Sequence, residues 1–250
     1  MKAIIVAAGE GSRMGKLTQN IPKPLVMVNG KSIIERQLSI LMQNKILDII
    51  IITGPHNEKF NFKDVVYVHD LDHKKHDALG SLMTARDYMS NEIIITYADQ
   101  IFEKVIIDQV IDFKGDIGIA VDLDWEKKYV NRDQHPKSEA ENVLFDKEGN
   151  ILEMRKNISA CKENEKIGEC LGLMKFSRKG SKVFLDKYSE LEISRQGKFH
   201  NALSLEKALI SDMLQELIDS KINVEPIYIS GKWCEIDTPQ DLQIARKLFF

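Results

Sequence analysis

Lys2-Ala3-Ile4-Ile5-Val6-Ala7-Ala8-Gly9-Glu10-Gly11-Ser12-Arg13-Met14-Gly15, followed by Ile21-Pro22-Lys23-Pro24-Leu25, is the stretch that decides the fold. An apolar run rich in β-branched residues reads as a buried strand. It empties directly into glycines, the way α/β folds present backbone N–H groups to phosphates. Arg13 and Lys23 add cations that can hold a triphosphate from several sides. The loop is neither of the common phosphate motifs. A P-loop needs Gly-Lys-Ser/Thr at a fixed distance, which is missing here. A dinucleotide-binding loop needs G-x-G-x-x-G, whereas Gly9, Gly11 and Gly15 give G-x-G-x-x-x-G. Pro22 and Pro24 also argue against a long helix straight after the loop.

Further along, apolar strand-like runs alternate with amphipathic helical stretches. Residues 3–8, 48–53, 65–69 and 92–97 read as strands, and 32–44 and 78–88 as helices. This βαβαβ order predicts a Rossmann-like, mainly parallel α/β sheet with helices on both faces. In such sheets ligands sit beyond the carboxyl ends of the strands, where the Gly9 loop, Gly54 and Asp99 fall. The second half is more mixed. Residues 116–121 read as a strand, 125–141 as a polar loop, 143–145 and 151–154 as a hairpin, and 169–176 as a strand. Helices are expected over 177–188 and 204–220, a strand over 223–229, and a last helix over 239–248 capped by Thr238. With no internal repeat or linker, 1–250 reads as one domain. Within it, residues 1–121 carry the strand-and-loop pattern that suits a phosphate ligand, and residues 122–250 form the more mixed half, with a small β-rich insertion expected on the substrate side.

Composition narrows the function classes. With 250 residues, 43% hydrophobic and a net charge of −3, the chain can bury a large core and has no basic excess pointing to nucleic acid or an anionic membrane. No apolar run approaches the ~20 residues of a transmembrane helix, and the N-terminus lacks the pattern of a signal peptide. Three cysteines without a C-x-x-C pair fit free thiols in a reducing, cytoplasmic setting.

The whole string, Ala-Ala-Gly-x-Gly-Ser-Arg-Met, then Pro22-Lys23-Pro24-Leu25-Val26, then Gly30-Lys31-Ser32-Ile33-Ile34-Glu35, resembles the N-terminal signature of the nucleotidyltransferase family. That family includes sugar-1-phosphate nucleotidylyltransferases and cytidylyltransferases of the phosphocholine type. The resemblance implies attack by a substrate phosphate on the α-phosphate of a nucleoside triphosphate, with pyrophosphate released. Arg13 and Lys23 would then stabilise the departing pyrophosphate. Taken alone, Asp99 reads as a turn residue and Asp237 as a cap. However, Gly231-Lys232-Trp233-Cys234-Glu235-Ile236-Asp237-Thr238-Pro239-Gln240-Asp241-Leu242 looks like the family's C-terminal metal element. The resemblance therefore implies Asp99 and Asp237 as Mg²⁺ ligands. It further implies nucleotide contacts at Ala7, Ala8, Gly9, Gly11, Ser12 and Gly54, and along Asp77, Ala78 and Ser81. The 76–81 stretch also reads as an ordinary helix start with Asp77 as N-cap.

Length, the Ala-Ala-Gly loop and the Trp-x-Glu-Ile-Asp ending look most like CTP-dependent cytidylyltransferases for small phosphate or phosphonate head groups. On the acceptor side, Glu141 and Glu169 are candidates for holding an amine, and Arg132 and Lys156 for gripping phosphorus oxyanions. Few aromatics lie here, which favours a primary amine or amide acceptor such as 2-aminoethylphosphonate over phosphocholine. A sugar-1-phosphate nucleotidylyltransferase remains the alternative within the fold, and a catalytically silent nucleotide-binding regulatory module the alternative outside enzymes. A homodimer is compatible with the chain but not indicated by it.

Overall fold

A computed structural model describes residues 1–250. In chain order the elements are β1 (Lys2–Ala7), β2 (Met27–Val28), β3 (Lys31–Ser32), α1 (Ile33–Gln43), β4 (Asp48–Thr53), β5 (Val66–His69), α2 (Ala78–Met83), β6 (Ile93–Tyr97), β7 (Gln100–Phe102) and α3 (Lys104–Asp112). They continue with β8 (Ile117–Asp122), β9 (Glu141–Phe145), β10 (Ile151–Lys156), β11 (Lys166–Phe176), α4 (Arg178–Ser194), α5 (Ile210–Asp219), β12 (Glu225–Tyr228), β13 (Trp233–Glu235) and α6 (Pro239–Leu248).

The central sheet has nine strands, with β10-β9-β11-β6-β1-β4-β5 in sequence across it and β8 pairing both β11 and β12. Strands β6, β1, β4 and β5 are mutually parallel. Successive side chains of a strand point to opposite faces, so both faces of these near-continuous apolar strands need cover. One face, with Ile4, Ile50, Ile52, Ile93 and Ile95, packs against α2, α4 and α5. The other, with Ala3, Ile5, Ile49, Ile51 and Ile94, packs against α1 and α3. The result is a three-layer α/β/α core, as the strand pattern predicts.

Strand β11 changes the sheet's character. It runs antiparallel to β6, pairing through Leu173–Phe176 only. Its first residues therefore project past the carboxyl end of β6, where they pair with β9 through Lys166–Glu169. The β9–β10 hairpin follows, in register Lys156↔Glu141. The β-rich acceptor-side segment is thus an antiparallel extension of the main sheet, standing over the strand ends where a ligand would bind.

Several local expectations shift in the structure. The helix expected over 204–220 begins only at Ile210. The preceding backbone is used instead to accept from the start of α2: Asp77 N–H donates to Glu206 O at 2.9 Å, and Leu79 N–H to Ala208 O at 3.0 Å. Helix α2 ends at Met83 and is followed by a 3₁₀ turn at Arg86–Tyr88, not a continuous helix to 88. Asp77 stands at its N-cap position, but its side chain makes no capping bond. Strand β7 and helix α3 were not read from the pattern at all. Thr238 caps α6 as expected. The cysteines are free thiols, with Cys170 and Cys234 buried. No helix is long and apolar enough to cross a membrane.

Candidate active site

The carboxyl ends of β1 and β6, the projecting part of β11 and the hairpin enclose a cavity of about 680 Å³, within the range of small-ligand sites. It is lined by Ala7, Ala8, Gly9, Gly11, Ser12, Arg13 and Lys23 from the first loop, and by Asp77, Ala78 and Ser81 from the start of α2. Asp99, Asp237, Glu141, Lys156 and Glu169 complete the residues expected there from the sequence.

The loop after β1 does not continue as a regular α-helix. It forms a 3₁₀ turn over Ser12–Thr18 entered through Gly11 at φ 65°, left-handed backbone that favours glycine. Thr18 Oγ1 donates to Gly11 O at 2.8 Å and holds the turn closed. Lys23–Leu25, entered from the extended Pro22, makes a second short 3₁₀ turn, and Lys23 lies inward. Gly54 does not line the cavity. It lies at the end of β4, where a Cβ would stand 2.2 Å from the carbonyl oxygen of Ala8. Its role is therefore to let β4 approach the loop closely, which corrects its expected nucleotide contact.

Asp99 and Asp237 are 138 residues apart, yet a backbone ladder brings them together. Strands β7 and β13 pair antiparallel with Gln100 opposite Glu235, and Ile236 N–H donates to Asp99 O at 2.9 Å. A small core containing Met14, Val26, Ile33, Ile101, Cys234, Ile236 and Leu242 packs this ladder against the first loop and α6. Lys23 Nζ sits between the two carboxylates, 2.7 Å from Asp99 Oδ2 and 2.6 Å from Asp237 Oδ1. Arg13 reaches Asp237 Oδ2 at 2.9 Å. Burial opposes charge on Lys23, but Asp99 and Asp237 outweigh it and raise the ammonium above its usual range. Burial likewise works against the Asp237 carboxylate, but Lys23, Arg13 and His135 hold it below its usual value.

The other oxygens of this pair are less well satisfied. Asp99 Oδ1 is buried without a hydrogen-bond partner, and Asp237 Oδ2 has only its ionic contacts with Arg13 and His135. Two neighbouring carboxylates facing a phosphate-sized cavity suit Mg²⁺, which takes one or two carboxylates plus substrate phosphates. The residues present thus fit the metal.

Arg132 is not an acceptor-gripping cation. It does not line the cavity, because its guanidinium is buried and Nε lies 2.6 Å from Asp241 Oδ1, while Nη2 donates to Glu235 O at 3.1 Å. Asp241 in turn closes the α6 capping box, accepting from Thr238 N at 2.8 Å and Asp237 N at 3.1 Å. Arg132 thereby braces the backbone that carries Asp237.

Glu141 and Glu169 have a different environment. Glu169 is buried and Glu141 half-buried in the cavity wall, and the buried Oε2 of each lacks a hydrogen-bond partner. Burial, with Lys156 only partly offsetting it, pushes the Glu141 carboxyl up to about 7. Burial also pushes Glu169 up to about 7, against the lowering effect of the hydrogen bond from the Tyr129 hydroxyl. Lys156 is half-exposed at the cavity edge, 3.1 Å from Glu139.

The sequence leaves His135 open between a pocket residue and a loop histidine before proline and does not single out Glu235 as a site residue, and both line the cavity. His135 is 2% exposed and stands 3.3 Å from Asp237 Oδ2 and 3.5 Å from Glu235 Oε2. Glu235 was visible inside the C-terminal element. His135 had no signal beyond preceding a proline in a polar loop. That loop folds back so that the imidazole closes the carboxylate cluster from the acceptor side.

A glycine-rich loop at the end of β1 and a lysine between two carboxylates thus face one cavity. The chain matches the MobA-like NTP transferase domain over residues 3–131 and belongs to that family. It is 30% identical over 257 aligned positions to a CTP:phosphoglutamine cytidylyltransferase of Campylobacter jejuni, covering 98% of each chain. In fold it is similar to a CTP:phosphocholine cytidylyltransferase from Streptococcus pneumoniae, with TM-score 0.74, 21% identity and 100% of this chain and 99% of that chain covered. It is also similar to a putative glucose-1-phosphate thymidylyltransferase from Bacillus anthracis, with TM-score 0.75, 20% identity and 99% and 94% of the two chains covered.

Proposed function

We propose that the protein is a Mg²⁺-dependent cytidylyltransferase that transfers CMP from CTP to a small phosphate or phosphonate bearing an amine or amide. The observation that carries this reading is a single cavity with ionised carboxylates braced by Arg13 and Lys23 at one end and nearly uncompensated buried carboxylates at the other. The similarity to cytidylyltransferases that act on phosphoglutamine and phosphocholine supports the choice of base and of head-group size.

In this reading Asp99 and Asp237 would hold the metal, which when bound would supply positive charge to offset that of the phosphates. The Gly9–Arg13 backbone and the Arg13 guanidinium receive the triphosphate. An acceptor phosphoryl oxygen forms a bond to the α-phosphorus, and the bond from that phosphorus to the bridging oxygen of the β-phosphate breaks. Pyrophosphate leaves with the electron pair, held by Arg13 and Lys23. The attacking oxygen is already an anion at neutral pH, so no general base is required and positioning carries the rate. Glu141 and Glu169 accept hydrogen bonds from the nitrogen end of the acceptor, and Lys156 approaches its phosphorus oxyanion.

The test is pyrophosphate release with Mg²⁺, crossing CTP, UTP, GTP, ATP and dTTP with 2-aminoethylphosphonate, phosphocholine, phosphoethanolamine, a phosphorylated amide and glucose-1-phosphate. Release with CTP and a nitrogen-bearing acceptor is expected. Release confined to the sugar phosphate would replace this reading with a sugar-1-phosphate nucleotidylyltransferase.

A further inference from the structure

Asp99 sits on a two-residue turn, Ala98–Asp99, between β6 and β7. The strands around this turn tie it only lightly. Strand β11 pairs with β6 no further than Thr96, and the β7–β13 ladder begins at Gln100. Within the turn, Ala98 N–H donates to Val6 O at 3.0 Å, and Asp99 O accepts from Ile236 N–H. The carbonyls on either side of it are held by a side chain from another layer. Gln37 of α1 donates through Nε2 to Tyr97 O at 2.8 Å and to Gln100 O at 2.7 Å. Thr96 Oγ1 adds a longer contact to Tyr97 O at 3.3 Å.

Carbonyl oxygens only accept, so the amide nitrogen of Gln37 must be the atom that faces them. Its two N–H groups meet two carbonyls, one before Asp99 in the chain and one after it. Gln37 is 1% exposed and stands on the apolar face of α1, with Ile33, Ile34, Leu38 and Leu41. Packing alone would be served there by an apolar residue. Burying an amide is costly unless it is bonded, and Gln37 Oε1 is buried without a partner in the protein. The side chain therefore serves through its donors. Gln37 does not line the cavity, whereas Tyr97, Ala98, Asp99 and Gln100 all do, so it reaches the site only through the turn.

We propose that Gln37 is a positioning residue that clamps the Asp99 turn and sets where the Asp99 carboxylate stands beside Lys23 and Asp237. It is the counterpart, for Asp99, of the Arg132–Asp241 brace behind Asp237. Losing a residue that orients a metal-holding side chain typically lowers metal affinity 10- to 100-fold, even though that residue never touches the ion. The inference deepens the reading of Asp99 and Asp237 as the metal end of the cavity and rests on it.

The experiment measures Mn²⁺ binding to the full-length protein by electron paramagnetic resonance, with and without CTP. Calorimetric CTP binding in the absence of metal and the acceptor KM are measured alongside it. Gln37→Met keeps the side-chain length and removes both donors. It is expected to weaken Mn²⁺ binding about tenfold or more, with metal-free CTP binding and the acceptor KM at saturating Mg²⁺ staying near wild type. Turnover should fall at limiting Mg²⁺ and recover as Mg²⁺ is raised. Gln37→Asn keeps an amide in the core but draws it back by one methylene. It is expected to shift metal affinity in the same direction, and it serves if Gln37→Met does not fold. A merely structural Gln37 would lower Tm and leave Mn²⁺ affinity unchanged, or would weaken metal, CTP and acceptor alike. Either result in a folded variant overturns this inference while leaving nucleotide transfer standing. Mn²⁺ binding as tight in Asp99→Asn as in the wild type overturns the metal reading, and the inference with it.

Discussion

Two pairs of buried or half-buried carboxylates face the same cavity in opposite electrostatic states. Asp99 and Asp237 are bridged by Lys23 and approached by Arg13, and Asp237 is held ionised below its usual range. Glu141 and Glu169 sit equally deep without a comparable cation, and burial pushes each up to about 7. Burying a charge is costly unless it is paired. The first pair meets that cost with the protein's own cations, so it stands ready for metal and triphosphate before either arrives. The second pair leaves the cost unmet, and in the proposed function a nitrogen-bearing acceptor relieves it. One cavity thus holds an end whose carboxylates are paired with the protein's own cations and an end whose carboxylates are not.

Removing the first pair is expected to have the largest effect. Asp99→Asn and Asp237→Asn should each lower kcat about 10²–10³-fold or more, the scale of losing one preorganised electrostatic contact. Circular dichroism should remain native. Retained turnover in both variants would break the metal assignment.

Arg132→Ala probes the bracing of that same end. It leaves Asp241 as a buried unpaired charge, at a cost of about 3–5 kcal/mol. For a chain of this size that corresponds to a fall in Tm of about 10 °C. Both substrates should bind less well. A raised acceptor KM with an unchanged Tm would instead return Arg132 to the acceptor site.

The second pair is best examined through pH. Glu141 is neutral below about 7 and ionised above it, and an ammonium group needs the ionised form. The acceptor KM should therefore fall about tenfold between pH 6 and pH 8. Glu141→Gln should flatten that dependence, and comparing the two profiles removes the titration of the acceptor's own phosphate, which lies in the same window. Stability moves the other way. The folded carboxyl titrates above its unfolded value of 4.5. The wild type therefore loses stability as pH rises through about 7, and Glu141→Gln should raise Tm at pH 8 but not at pH 5.

Lys156→Ala should have the smallest effect. Its pairing with Glu139 is half-exposed, so stability should change by less than about 1 kcal/mol. The acceptor KM should rise severalfold while CTP binding is unchanged. Equal changes in both would place Lys156 outside the acceptor end.

The same contrast explains what the sequence made readable. The first end is written in runs. Lys2–Ala7, Asp48–Thr53 and Ile93–Tyr97 are apolar enough to declare themselves as buried strands, and the loop residues follow β1 directly. Even there, the pairing of Asp99 with Asp237 came from family likeness, because the β7–β13 ladder that joins them is only three residues long on each side. The residues that support those runs are brought in by tertiary contacts with no local signature. Arg132 looked like a free cation because its partner Asp241 lies 109 residues away. His135 looked like a loop residue because the fold alone turns it onto Asp237. The overlong helix expected from 204 failed for a similar reason, since backbone at Glu206 and Ala208 serves α2 instead of its own helix.

The most direct test of the central claim is phosphorus NMR of the wild-type protein with Mg²⁺, CTP and 2-aminoethylphosphonate, with phosphoethanolamine and a phosphorylated amide run in parallel. The account predicts paired, mutually coupled signals from a new anhydride joining the α-phosphorus to the acceptor's phosphorus, with pyrophosphate appearing in equal amount. CMP accumulating without that anhydride, or CTP persisting unchanged beside every nitrogen-bearing acceptor, would contradict it.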